Sequence, residues 1–365
     1  MSPRARLALL LLLAAASGLL VYWLTRSTDT AKPASAAQAA DARAHRRPTS
    51  GGRLPALELP SSTFDDEASA AGRPLIRGAW GGGPGQFGRL EAAESNPEGP
   101  MSLGVDGKGG IWILDQVNQR LQRFDREGKP IGAIPLSGST GQDLALTDDG
   151  KALVLDRLGQ QPGVEIYGAD GRMERRLNAV GGQIKEGGGI TGLFSTPGGV
   201  YVENGHDDLV QVADAQGQQT DLQQTIPGRP TRDGQLYIKA GVIDKAAGRV
   251  YVQAHDLQKK LAWEIPLNLT RPVLHLLLLD SDLGGRIYLG AEVGLEDPQT
   301  HAMSDLATLI VRISKAGQLD GTLTLPPSTA EAAETFRPLA VGDDGTIYHM
   351  VVTPQGLQVT SYTFK

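Results

Sequence analysis

The chain has 365 residues, with 47 glycines, 22 prolines, no cysteine and a formal net charge of −6. The negative charge gives no reason to bind nucleic acid, whose phosphates are held by clustered Lys and Arg. The absence of cysteine excludes disulfides, a thiolate nucleophile, cysteine-ligated zinc and lipid modification of an N-terminal cysteine. The many Gly and Pro residues predict short strands joined by turns.

The first predicted element is an apolar segment that follows Arg4 and Arg6. Its uncharged run, residues 7–24, is just long enough to span a bilayer. We predict that residues 1–24 form an uncleaved signal-anchor with the N-terminus in the cytoplasm and the rest of the chain outside. The alternative is a signal peptide that is cleaved near Ala14–Ala16, with secretion of the remainder.

The second predicted element is a linker, residues 25–71. It is rich in Ala, Ser, Pro and mixed charge, and it holds too little apolar surface to order itself. A flexible chain of this length reaches on the order of 35 to 40 Å. The linker would therefore tether a domain, residues 72–365, near the membrane of a bacterial cell, on the periplasmic side.

A repeated phrase then organises the rest of the chain. A Gly turn followed by β-branched or aromatic residues recurs as "GGIWILD", "GKALVLD", "GGVYVEN", "GRVYVQA", "GGRIYLG" and "GTIYHMV". This spacing is typical of propeller blades, each a four-stranded antiparallel sheet. We therefore predict an all-β fold, a β-propeller with six blades; seven blades or an irregular ring are the alternatives.

The last unit contains only three strands before the sequence stops. The segment Gly72–Trp80, "GRPLIRGAW", precedes the first full unit and has no partner of its own. Because pairing it with the last unit would close the ring and remove exposed sheet edges, we expect it to supply the missing strand.

The first unit carries a polar signature: Asp115, Asn118 and Arg120, then Phe124 and Gly128. Together with the preceding "GAWGGGPGQFG" and "VDGKGGIWILD", these residues resemble an NHL repeat. The resemblance implies a six-bladed propeller from a family used widely for recognition. Later units keep the Gly turns and strands but mostly lose the signature, and "RLEAAESNPE" lengthens the connection before the strand.

The polar signature predicts a structural role. Asp and Asn side chains satisfy backbone donors in turns, and an Arg pairs with a carboxylate. Asp156 and Asn204 occupy the corresponding places in the second and third units. This recurrence favours a role in blade geometry over catalysis.

Polar residues at strand ends are the candidates for a site on the axis or rim of the ring: Glu203, His206, Asp207, Asp208, His255 and His349. The amidating-enzyme lyase domains resemble NHL propellers and hold a metal, and propellers related to gluconolactonases and strictosidine synthases collect site residues from several blades. The three candidate histidines, His206, His255 and His349, lie at different offsets in their units, so we predict no shared zinc site.

Calcium is also not predicted, although "DSDLGG" (Asp280–Gly285) and "GDDGT" (Gly342–Thr346) contain clustered acids. An EF-hand loop that began at Asp280 would need an acid at position 291, which is Ala291. Asp-Gly turns between strands explain both phrases. We expect no cofactor, and we expect His275 to be a core residue.

The sequence contains no nucleophile elbow, phosphate loop or zinc-protease helix, so no catalytic residue is assigned. Two long connections, Arg89–Glu98 and Ala291–Thr308, are the predicted interaction loops. The function favoured by the sequence is a membrane-tethered scaffold that binds a protein or an envelope polymer. The alternative is a metal-dependent hydrolase or lyase, which would require acids and imidazoles to converge at one mouth of the propeller.

Overall fold

The computed structural model describes residues 72–91, 96–206, 208–269, 271–300, 302–328 and 334–364. All of them belong to one compact unit. The predicted signal-anchor and linker, residues 1–71, lie outside the described residues. Within the described ranges, no helix has the length and apolar character needed to cross a membrane.

The described residues form six antiparallel sheets of four strands, so the prediction of a six-bladed propeller is confirmed. Within each blade the strands run in order from the axis of the ring outward. Blades 1 to 3 are β2 (Ser102–Val105), β3 (Ile111–Asp115), β4 (Arg120–Phe124) and β5 (Pro130–Pro135); β6 (Asp143–Leu146), β7 (Ala152–Asp156), β8 (Gly163–Tyr167) and β9 (Met173–Asn178); β10 (Ile190–Thr196), β11 (Gly199–Asn204), β12 (Leu209–Ala213) and β13 (Thr225–Ile226). Blades 4 to 6 are β14 (Arg229–Pro230), β15 (Tyr237–Asp244), β16 (Arg249–His255) and β17 (Leu261–Asn268); β18 (Val273–Ser281), β19 (Ile287–Glu296), β20 (Met303–Ile313) and β21 (Leu319–Leu325); β22 (Leu339–Val341), β23 (Ile347–Thr353), β24 (Gly356–Tyr362) and β1 (Arg73–Ala79).

The first strand of the domain closes the ring, as the sequence predicts. β1 pairs antiparallel with β24, from Arg73 opposite Ser361 to Ala79 opposite Gly356. It is therefore the outer strand of blade 6, although it precedes blade 1 in the chain. The two ends of the propeller domain are locked in one sheet.

Strand direction gives the ring two distinct faces. The connections between successive blades and the turns between second and third strands lie on one face, which we call the connection face. The turns from first to second and from third to fourth strands lie on the other, the turn face. A turn-face example is the reversal at Asp125–Lys129, where Gly128 N donates to Asp125 O at 2.9 Å and Gly128 has φ +85°.

Five of the six repeated phrases form second strands, and the phrase in blade 4 does not. "GRVYVQA" is β16, the third strand of its blade, because β15 precedes it. β15 contains Gly241 and ends at Asp244, residues that in the sequence look like part of a turn. Blade 4 is thus displaced by one strand from the expected alignment.

Blade 5 is longer than predicted. The segment Ala291–Thr308, expected to be a polar loop, lies mainly in β19 and β20, with Ala291 and Val293 buried. His275, expected in the core, is exposed on β18. Both predictions were wrong for one reason: the strands of blade 5 continue past the ring on the connection face, where less protein covers them.

The core lies between adjacent blades. One apolar cluster joins blades 4 and 5 and includes Ile238, Val252 and Leu289, each fully buried. Others join blades 2 and 3, blades 6 and 1, blades 1 and 2, and blades 5 and 6. Because each blade is covered on both sides, its strands are apolar on both faces, as in other sandwiched sheets.

Candidate functional site

The inner strands surround a central cavity of about 660 Å³. All six blades contribute to its lining, with polar side chains at Asp143, Thr191, Arg229, Arg232, Asp280, Arg337 and Asp343. The arginines come from blade 4 and from the segment before blade 6. Each of the three arginines forms an ion pair in its own part of the cavity.

The first ion pair lies near the connection face and joins Arg337 to Asp143. Arg337 Nε donates to Asp143 Oδ1 at 2.9 Å and its Nη2 donates to Oδ2 at 2.5 Å. The Asp143 side chain is 0% exposed and that of Arg337 is 24% exposed. Burial lowers the pKa of Arg337, but Asp143 outweighs it and the net pKa is raised. Arg337 therefore stays charged at any ordinary pH.

Asp143 also gathers groups from other blades. It accepts from Leu193 N in blade 3 at 2.8 Å and from Ser102 Oγ in blade 1 at 3.2 Å. The Arg337 guanidinium in turn donates to Leu193 O at 2.9 Å. One buried carboxylate therefore links blades 1, 2, 3 and the start of blade 6.

The second ion pair joins Arg229 to Glu203. Arg229 Nε and Nη2 donate to the two Glu203 oxygens at 3.0 and 3.1 Å, and Thr191 Oγ1 donates to Glu203 at 2.9 Å. Burial would raise the pKa of Glu203, but Arg229, His206 and Thr191 together lower it to about 2. Glu203 is therefore an ionised partner of Arg229 and a poor general base.

An aromatic ring lies between these two arginines. The guanidinium carbons of Arg229 and Arg337 lie 4.8 and 5.2 Å from the centre of the Phe194 ring. Cations at this distance are attracted by the face of a ring. Phe194 thus holds both guanidiniums beside the axis.

The third ion-pair site lies toward the turn face. Arg232 Nη1 donates to Asp343 Oδ1 at 2.8 Å and Nη2 donates to Asp280 Oδ2 at 3.2 Å. Its Nη2 also donates to Val341 O at 2.6 Å. Arg232 thereby joins blade 4 to blades 5 and 6 across the end of the cavity.

The axial carboxylates are therefore bound by arginine. A guanidinium repels a metal cation and stabilises the ionised acid, so these groups are poorly arranged for metal binding or acid–base catalysis. Among the described residues, no group of three or more His, Asp or Glu side chains could hold a metal ion. In "DSDLGG", Asp282 accepts from Arg286 and from Tyr288.

The structure does not bring the three candidate histidines together. His206 is exposed at the mouth of the cavity, and its Nδ1 lies 3.5 Å from Glu203 Oε2. His255 ends β16 on the turn face, and His349 is buried in β23 with Nε2 3.1 Å from Ser328 Oγ. Asp208 is exposed, and Asp207 lies outside the described residues.

The polar signature of the first unit contacts the segment that follows β1. Asp115 is 0% exposed and accepts from Arg120 Nε at 2.8 Å, Asn118 Nδ2 at 3.0 Å and Gly88 N at 2.9 Å. Arg120 and Asn118 donate onward to backbone carbonyls of residues 81–86. Phe124 is buried and stacks on Phe87 with ring centres 6.1 Å apart. These contacts hold the connection between the closing strand and blade 1.

The two expected interaction loops differ in structure. In Arg89–Glu98, where residues 92–95 are not described, Leu90 and Glu98 bond to each other, and Glu98 forms a bridge with Glu334. This connection is packed against the segment before blade 6. The tip of the β19–β20 hairpin, by contrast, extends past its neighbouring strands.

Comparison with known proteins assigns no family to the chain. No protein-family model and no curated protein matches it. Among solved structures, it is similar to hydrazine synthase from Kuenenia stuttgartiensis, with 13% identity, 71% of this chain and 74% of that chain covered, and a TM-score of 0.46. It is also similar to virginiamycin B lyase from Staphylococcus aureus, with 10% identity, 76% and 98% coverage and a TM-score of 0.40. A third similar structure is a luciferin-regenerating enzyme, with 12% identity, 73% and 91% coverage and a TM-score of 0.43.

These similarities carry no argument about activity. The blade count rests on the strand pairing of the chain itself. The axial arginines were not recognised from the sequence, although Arg229 and Arg337 each stand in an X-Arg-Pro phrase just before or within an inner strand. That shared phrase is the signal that could have identified two of them.

Proposed function

We propose that this protein is a membrane-tethered, extracytoplasmic scaffold that binds another protein or an envelope polymer through its connection face. The observation that carries this proposal is the free end of the β19–β20 hairpin. β18 pairs with β19 only as far as Val293, and β21 pairs with β20 only from Thr308. The remainder of the hairpin, residues 295–300 and 302–306, extends past these pairings as a two-stranded ribbon, in which Leu295 pairs with Ser304 and Glu296 pairs with Met303.

The ribbon presents apolar side chains to solvent. Leu295 is 45% exposed and Met303 is 39% exposed. Apolar groups on a projecting element, next to polar residues of the turn, are typical of a recognition surface. The resemblance of the first unit to NHL repeats supports the same role.

The position of the tether in this proposal is consistent with such a surface. β1 begins at Arg73 on the turn face, so a linker that precedes it would leave from the side opposite the ribbon. The connection face would then point away from the membrane. The axial arginine–carboxylate pairs would act as the frame that keeps the blades in place.

The test is recovery of a bound partner from gently solubilised native membranes with the full-length protein. We expect one near-stoichiometric species, identified by mass spectrometry, that is lost with Met303→Asp. The matched control is Leu319→Asp, because Leu319 is also 39% exposed but lies on the outer strand of the same blade. Equal retention by both variants would contradict the proposed surface.

A metal-dependent hydrolase or lyase is the alternative function. The exposed imidazole of His206 beside Glu203 at the cavity mouth is the observation that favours it. The carboxylate does not fit a metal because Arg229 holds both of its oxygens. A metal that co-purifies stoichiometrically and is lost with His206→Ala would revive this alternative.

A further inference from the structure

The inner strand of blade 4 leaves most of its neighbour uncovered. β14 pairs only with Tyr237 and Ile238 of β15. The rest of β15, Ala240–Asp244, is paired with β16 on one side, and on the axial side no backbone hydrogen bond joins it to any part of the chain that the structure describes. At about 3.3 Å per residue this open edge is roughly 17 Å long.

The open edge is apolar and accessible. Val242 is 44% exposed and Ile243 is 40% exposed. An unpaired strand edge with exposed apolar side chains is a template for adding another strand. It lies on the connection face, beside the mouth of the central cavity.

Outer strands of the propeller are protected in ways that this edge is not. Proline or clustered charge blocks strand addition at a sheet edge. Such residues occur in four of the outer strands, as Pro74 in β1, Pro130 and Pro135 in β5, Glu174, Arg175 and Arg176 in β9, and Pro266 in β17. From Lys239 to Asp244, β15 has no proline and only two charges, one at each end.

We propose that the open edge pairs antiparallel with the same edge of a second copy of this chain. The register shift between Val242 and Asp244 makes Ile243 an extra, bulged residue. Because of this bulge, Asp244 projects from the same side of β15 as Lys239 and Gly241. A two-fold axis at Gly241 then places the two Gly241 residues opposite each other.

Two pairs on each side of that centre are complementary. Ala240 lies opposite the partner copy's larger Val242, and Lys239 lies opposite the partner copy's Asp244. Opposite charges and small-to-large apolar pairs are the cross-strand neighbours that stabilise antiparallel sheets. The two-fold axis produces each of these pairs twice.

The ion pairs are not the sole source of stability. Lys239 already takes part in a contact within its own chain, and Asp244 Oδ1 accepts from Ala247 N at 3.0 Å. Formation of the dimer therefore exchanges some contacts for others. The gain comes from new backbone hydrogen bonds and from covering Val242 and Ile243.

Sedimentation equilibrium of the full-length protein in detergent tests this proposal. We expect a dimer for the wild-type chain. Lys239→Asp and Asp244→Lys each place like charges opposite each other, and each should raise the dimer dissociation constant by at least about tenfold. An equimolar mixture of the two variants should restore the dimer, because every cross-strand pair is then between opposite charges.

The mixture separates a lost interface from a damaged fold, since a misfolded variant would not be rescued by another. Leu261→Asp is the matched control: Leu261 is 55% exposed on the outer strand of the same blade, and this substitution should leave the mass unchanged. A wild-type monomer at all concentrations, or variants that fail to recombine, would overturn the proposal. Because mass is measured without any other partner, a failure to dimerise and a failure of the scaffold function are distinguishable, although both concern the connection face.

Discussion

The ion pair between Asp143 and Arg337 should stabilise the ring more than any exposed pair. Asp143→Asn keeps the shape of the side chain but leaves the guanidinium of Arg337 without its counter-ion. Arg337→Met leaves a carboxylate that is 0% exposed without its cation. Breaking a buried pair from one side costs about 3–5 kcal/mol, because the remaining charge is desolvated and unpaired.

The double variant should cost much less than the sum of the two single changes. With both charges removed, neither partner is left ionised in the interior. We therefore expect a coupling free energy of about 2–3 kcal/mol between the two positions. The Phe194 ring, 5.2 Å from the Arg337 guanidinium carbon, would still pack against the methionine.

Urea unfolding, followed by tryptophan fluorescence, measures these free energies. Trp112 is 4% exposed in blade 1, in the apolar cluster that also contains Leu144 of blade 2, and it reports on loss of the ring. The control is Glu127→Gln, which breaks an ion pair between two exposed side chains and should cause no measurable change. Additive losses in the double variant would refute the reasoning.

Three further predictions follow from the turns, the buried histidine and the polar signature. Gly128→Ala should destabilise the protein by at least about 1–2 kcal/mol more than Gly150→Ala, measured by urea unfolding. The two glycines have similar dihedral angles, with φ +85° and +84°. They differ in their surroundings, because a Cβ at Gly128 would lie 2.1 Å from Leu75 O, whereas the atom nearest to a Cβ at Gly150 is 4.0 Å away. Equal losses would mean that the contact with β1 is unimportant. Burial lowers the pKa of His349 to about 4. As the pH falls, this residue therefore takes up a proton in the unfolded chain before it does so in the folded protein. The free energy of unfolding should decrease by about 2 kcal/mol when the pH is lowered from 8 to 5. His349→Gln should flatten this part of the profile, and an unchanged profile would assign the acid sensitivity to other groups. Asp115→Asn should lower the free energy of unfolding by about 3 kcal/mol and Asp156→Asn by about 1 kcal/mol, measured by thermal or urea unfolding. The reason is burial, because the Asp115 side chain is 0% exposed while that of Asp156 is 13% exposed. The reverse order would contradict the role assigned to the signature.

The features that could be predicted from the sequence are those with local causes. Gly turns determine where strands reverse, and the strands between them are apolar because each blade is covered on both sides. The number of blades could therefore be predicted by counting how often a Gly turn is followed by an apolar strand. The closing strand followed from a count of three strands in the last unit. The blade count uses residues that are neighbours in the chain, and the closing strand, although it pairs with a distant strand, needs only the count of strands in each unit.

The axial site could not be predicted because its partners are distant in sequence. Arg337 and Asp143 are 194 positions apart, and nothing in either local sequence identifies the other. Blade 4 was misaligned because Gly241 and the Asp244-Lys245 pair look like turn residues, although they end a long strand. The length of the blade 5 strands was missed because their polar, exposed ends resemble a loop.

The closing strand also has a consequence for biosynthesis. On the ribosome, β1 is made before every other strand of the propeller, and β24 is made after all of them. While the intervening blades emerge, β1 has no sheet to join, and blade 6 cannot be completed until β24 has left the ribosome. The nascent chain therefore carries β1 without its partner strand throughout the synthesis of the ring. During that period a chaperone, or another segment of the nascent chain, would have to cover β1.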